Sequence, residues 1–164
     1  MILESFVKNL IYDPVSTLGI LIFYFLLINL PISLIALFNK KFSSYVRLFT
    51  ITINLFIAMQ LISRWIVSGH FPISNLYESL YFLVWGISLG QLLVEKEYPT
   101  PIIPAIALPV ELLTVAFACF ILPEDLKLSS NLVPALRSSW LVMHVSVVML
   151  SYAALIIGLS LIHI

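Results

Sequence analysis

Five apolar runs of about twenty residues each constrain this chain more than any other feature: Val15 to Phe38, about Leu48 to Val67, about Leu76 to Val94, Ile102 to Leu122, and Ser139 to Ile164. A bilayer core about 30 Å thick is crossed by about 20 helical residues, and only a helix or a closed barrel satisfies its backbone hydrogen bonds there. The strict alternation of barrel strands is absent. The expected fold is therefore all-α, a polytopic transmembrane helical bundle of five spans forming a single membrane domain. Composition agrees, since 62% hydrophobic and 10% charged residues give more apolar surface than a soluble domain of 164 residues buries. The lipid bilayer is the partner this demands. Net charge is zero, which offers nucleic acid no basic face.

Loop charges set the expected orientation. Asn39-Lys40-Lys41 with Arg47 is the most basic short loop, so it is expected on the cytoplasmic or stromal side, with the N-terminus outside (lumenal). Ser68–Ser74 and Pro123–Arg137 then lie outside, and Glu95-Lys96-Glu97 inside. Arg64, near the outer end of its span, is expected to snorkel to the headgroups. Before the first run stand Glu4, Lys8 and Asp13 rather than a basic segment, so no cleavable signal peptide is expected. The final residues, Leu161-Ile162-His163-Ile164, are still apolar and lack an interfacial anchor, as in the N-terminal portion of a longer protein.

Few side chains offer chemistry. Histidine ligates haem iron, carries protons, or simply hydrogen-bonds between helices. His70 falls in the outer loop and His144 about one turn into the last span. His163 ends that span nearly 30 Å from His144 at 1.5 Å per residue, so the two cannot share a metal. Asn75 and Glu78 have the spacing of a helix cap with a capping box; alternatively Glu78 is a charge at the mouth of an external site. Glu111 falls near the centre of the fourth span, where a carboxylate costs a few kcal/mol unless protonated, paired or facing a cavity. Cys119, the single cysteine, reads as a small buried hydrophobe. Trp65, Phe71, Tyr77, Tyr81 and Trp140 gather at the outer boundary, as an aromatic belt or as the walls of a site for a flat ligand.

Two stretches are more specific. Residues 64–80, RWIVSGHFPISNLYESL, resemble a signature block of the CcsA family, also called ResC. Residues 133–145, VPALRSSWLVMHV, continuing through Ser151-Tyr152-Ala153-Ala154, are similar to a second block of that family. Its members are membrane subunits of System II cytochrome c maturation in plastids, cyanobacteria and many bacteria.

The resemblance implies haem delivery to the lumenal or outer face, and presentation of that haem for covalent attachment to apocytochrome c. It implies haem b as cargo and His144 as axial iron ligand, its ring turned into the bundle, with His70, Trp140 and Trp65 as further haem contacts. It also implies a second System II subunit of the CcsB type, apocytochrome c and thiol-reducing proteins as partners. The implied location is a plastid (chloroplast) thylakoid membrane, or alternatively a cyanobacterial thylakoid or bacterial inner membrane. No autonomous catalytic motif is present, so any enzymatic role is at most part of a haem-attachment complex. The family's tryptophan-rich external segment is missing, since no tryptophan follows Trp140, and so is the second flanking histidine. The alternative reading from the residues alone is a small proton-coupled transporter or channel-type bundle using Glu111.

Overall fold

The computed structural model describes residues 14–127 and 139–162. Five of its helices are long and apolar enough to cross a membrane. Helix α1 spans Pro14–Phe38 and runs through Pro31 without a break. After a 3-10 turn, Lys40–Phe42, capped by Asn39, α2 spans Ser43–Ser68. Helix α3 spans Leu76–Glu97, and α4 spans Ile102–Ala116 and is extended by a π-helical turn, Phe117–Ile121. A short α5, Glu124–Lys127, precedes α6, Ser139–Ile162. His163 and residues 133–138 of the second block lie outside the described residues.

The helix ends are written in local chemistry. Gly69 adopts φ 69°, and its N–H reaches Trp65 O at 2.9 Å, the left-handed stop that a residue with Cβ resists. Asn75 Oδ1 accepts the Glu78 N–H at 2.9 Å and so starts α3, as expected. Glu78 reaches back to the Ser74 N–H at 2.9 Å, one residue beyond a strict capping box. Two boundaries differ from expectation: α2 begins at Ser43, which takes in Arg47, and α3 runs on through Glu97, which takes in a buried Glu95. Charged residues within a turn of the interface are compatible with a helix because their heads reach water or a partner.

Helix α3 is central, packing on α2, α4 and α6, while α1 packs on α2 and α4. In lipid no hydrophobic force pulls helices together, so close packing of small residues and buried hydrogen bonds do so. Gly86 and Gly90 let α6 approach: a Cβ at Gly86 would meet Ala153 Cβ at 3.2 Å, and one at Gly90 would meet Ile157 at 3.3 Å. Asn54 Nδ2 ties α2 to α3 by donating to Ser88 Oγ at 2.8 Å and Trp85 O at 3.2 Å.

Candidate functional site

The loop joining α2 to α3, with α5 and the first turns of α6, forms one end of the bundle, opposite Lys40 and Lys41. Here the structure corrects the sequence reading of Arg64. Its side chain is 4% exposed and Glu78's is 0%, and Arg64 Nη1 lies 3.1 Å from Glu78 Oε1. The guanidinium also sits over the Tyr77 ring, 4.5 Å from its centroid, and donates to Lys127 O. It does not snorkel, because a carboxylate, a ring face and a carbonyl already surround it. Both charges sit close to the ends of antiparallel neighbours, α2 and α3, a mirrored depth that could have revealed the pair in the sequence.

Around the pair, polar atoms fasten α5 to the bundle. Asn75 Nδ2 donates to Leu126 O at 3.0 Å, and Lys127 Nζ donates to Cys119 O at 2.7 Å. Tyr77 and Tyr81 are not belt residues but core. Gln60 Nε2 donates to Tyr77 Oη at 2.9 Å, and Tyr81 Oη lies 3.1 Å from Cys119 Sγ. Cys119 is half-buried, a hydrogen-bonding member of this cluster.

The candidate haem-contacting residues fall into separate places. Trp65 is half-exposed and stands edge-on to Phe71, with centroids 5.2 Å apart. Phe71, Phe82 and Trp85 continue the line at 6.1 and 5.7 Å, making a ladder of rings along the α2–α3 seam. These rings wall an almost wholly apolar groove of about 160 Å³. That is smaller than the roughly 300–1,000 Å³ of pockets that enclose a drug-sized ligand, so the groove could take the edge of a flat molecule and not engulf it. Phe82 and Trp85 were not singled out in the sequence, although their i to i+3 spacing puts them on one face.

His70 is half-buried in the loop beside this groove, with Nδ1 3.3 Å from Phe71 O. His144 is elsewhere. In the first half of α6, Val142, Val145 and Met149 are the side chains that meet the core, and His144 lies on the outward face with Trp140, which is 80% exposed. An imidazole turned into the bundle is therefore not what the fold provides; the face it occupies is open to a ligand or a further helix. Among the described residues no three His, Cys, Asp or Glu side chains gather as a metal site. For a flat aromatic ligand the arrangement fits in part: the exposed His144 imidazole shares the outward face of α6 with Trp140, while His70 lies beside the Trp65 ring ladder.

Comparison with known proteins adds a family. A family model described as "Cytochrome C assembly protein" matches residues 73–164. The chain is 87% identical over 158 residues to "Cytochrome c biogenesis protein CcsA" of Prochlorococcus marinus strain MIT 9515, covering 96% of this chain and 51% of that protein. It is 59% identical over 151 residues to the protein of that name in strain NATL1A, covering 92% of this chain and 48% of the relative. The chain thus spans about half the length of the curated relatives it matches.

Proposed function

The chain belongs to the cytochrome c assembly family, and from that premise we propose that it acts in cytochrome c biogenesis, holding haem b at the membrane face that carries His70 and His144. The observation that carries this reading is the 87% identity to a CcsA protein across nearly the whole chain. Haem attachment needs ferrous haem held with its vinyl groups near two substrate thiolates. The membrane subunit's part is positioning and control of the iron through an axial imidazole.

In this reading His144 supplies that imidazole from the outward face of α6, and Trp140, also exposed, lies one helical turn away on the same face. His70 and the Trp65 ring ladder offer an apolar, aromatic flank at the same end of the bundle. Apocytochrome c, thiol-reducing proteins and a CcsB-type subunit are the partners. The basic Lys40–Lys41 loop supports placing that end in the cytoplasm and the haem-holding end outside. Relatives from marine cyanobacteria favour a cyanobacterial thylakoid membrane over a plastid one.

A reduced, detergent-solubilised preparation tests the proposal. A haem Soret band that co-purifies with the chain supports it; no haem, together with proton-coupled uptake into vesicles, supports a transporter instead.

A further inference from the structure

At the opposite end of the bundle, four helices place polar side chains at one depth. Asn29 on α1, Thr50 on α2, Gln91 on α3 and Glu111 on α4 are all fully buried. Each lies about 9–14 Å from its helix end on the Lys40 side, at 1.5 Å per residue. The donor atoms of this layer are all engaged. Asn29 Nδ2 donates to Thr50 Oγ1 at 3.2 Å, Thr50 Oγ1 to Val46 O at 2.9 Å, and Gln91 Nε2 to Thr50 Oγ1 at 3.4 Å and Glu95 Oε1 at 3.2 Å. The acceptors are not. Asn29 Oδ1, Gln91 Oε1 and both carboxyl oxygens of Glu111 are buried without a hydrogen-bond partner. Leaving one such group unpaired costs about 1–3 kcal/mol, and four in one layer is more than packing alone explains.

A water-accessible feature adjoins the layer through Glu95. A cleft of about 180 Å³ lined by Ser43, Ser44, Arg47, Glu95, Pro99 and Thr100 lies on the Lys40 side. Glu95 therefore belongs both to the cleft wall and, through Gln91, to the buried layer. Glu95 and Glu111 are carried by packed neighbouring helices, α3 and α4, and Arg47 shares the cleft wall with Glu95. No other titratable group faces Glu111 among the described residues. Helix α1 carries only Tyr24 and α6 only His144 and Tyr152, all three exposed on the outside of the bundle.

We propose that Glu111 is a proton-binding site inside the membrane, loaded from the Lys40 side through Glu95. A proton from water in the cleft converts the Glu95 carboxylate to the acid. The proton then reaches Glu111 along the polar layer, which leaves Glu95 ionised again and turns one carboxyl oxygen of Glu111 from an unpaired acceptor into an O–H donor. The site sits in the half of the bundle away from His70 and His144, so it stands independently of how haem is held.

Dicyclohexylcarbodiimide, which modifies carboxylic acids in apolar surroundings, reads the site directly. The whole chain is placed in vesicles whose sidedness is set by proteolysis at Lys40-Lys41, and adduct at Glu111 is quantified by mass spectrometry. Labelling of Glu111 should rise as the Lys40-side pH falls and ignore pH on the other side. Glu95→Gln should slow it on the order of tenfold or more, since a relay acid is lost, and Glu95→Asp should largely restore it. Glu111→Gln should abolish the adduct. Control of labelling by the far side, or labelling indifferent to both pH and residue 95, or no adduct at Glu111 at all, overturns the proposal.

Discussion

Arg64 and Glu78 form an ion pair at 3.1 Å with both side chains sealed from solvent, on neighbouring helices joined by the loop that carries His70. The pair closes that end of the α2–α3 hairpin, and its second bonds, to Ser74 on one side and Lys127 on the other, tie in the loop and α5. Breaking a buried pair from one side strands the remaining charge, at a cost of about 3–5 kcal/mol. Arg64→Met should therefore lower the thermal midpoint of the detergent-solubilised protein sharply. Adding Glu78→Gln, which removes the stranded charge and still accepts from Ser74, should recover part of the loss. A double variant less stable than Arg64→Met alone would contradict this account of the pair.

Gly19 of α1 faces the hydroxyls of Tyr77 and Tyr81 on α3. A Cβ there would lie 2.7 Å from Tyr81 Oη and 2.9 Å from Tyr77 Oη, both on core side chains. Alanine gains about 1 kcal/mol of helix propensity over glycine, whereas overpacking a well-filled core costs about 1–3 kcal/mol. Overpacking should win, so Gly19→Ala is expected to destabilise. Tyr81→Phe, by removing the nearer hydroxyl, should make the same alanine less harmful; equal penalties in both backgrounds would count against a clash.

Asn75 does two jobs. Its oxygen caps α3 and its amide nitrogen holds Leu126 O. Alanine should cost about 1 kcal/mol for the cap alone. Aspartate restores the acceptor but has no N–H for Leu126. The expected pattern is that Asn75→Asp recovers the melting temperature while proteolysis after Lys127 becomes faster than in the parent. Full recovery of both would mean the Leu126 bond contributes nothing.

The bundle's sidedness follows from Lys40 and Lys41. In a Cys119→Ser background, cysteines at exposed Ser44 and exposed Pro123 should react with an impermeant maleimide from opposite sides of the membrane, Ser44 from the cytoplasmic side. Reaction of both from one side would break the five-span topology.

The spans were legible because each is a run of apolar residues, and a hydrocarbon solvent allows little but a helix. Their ends were legible where one residue decides, as at Asn75. What hydropathy missed was polar and long-range. Arg64 looked like a snorkelling side chain because its partner Glu78 sits across a loop on the next helix. Glu95 and Arg47 were assigned to loops because a charge lowers hydropathy whether it faces water or a partner. Tyr77 and Tyr81 looked interfacial, and their burial depends on Gly19 of α1, far away in sequence. The site residues His70, His144, Trp65 and Trp140 were named from family blocks; the fold distributes them over one end of the bundle, and the direction in which α6 turns His144 is set by packing through Val142, Val145 and Met149.

The most direct test of the haem reading is His144→Gly in the protein expressed from its own gene in its native membrane. Losing one axial ligand removes the iron bond but leaves the stacking surfaces, and the outward face of α6 leaves the vacancy open to small molecules. Haem co-purifying with the protein, read by the Soret band, should fall and its maximum should shift. Added imidazole should restore part of the haem and of cytochrome c assembly, and the same change at His163 should do neither. Unchanged haem content and unchanged cytochrome c assembly in His144→Gly would contradict the account and leave His144 an ordinary helix-surface residue.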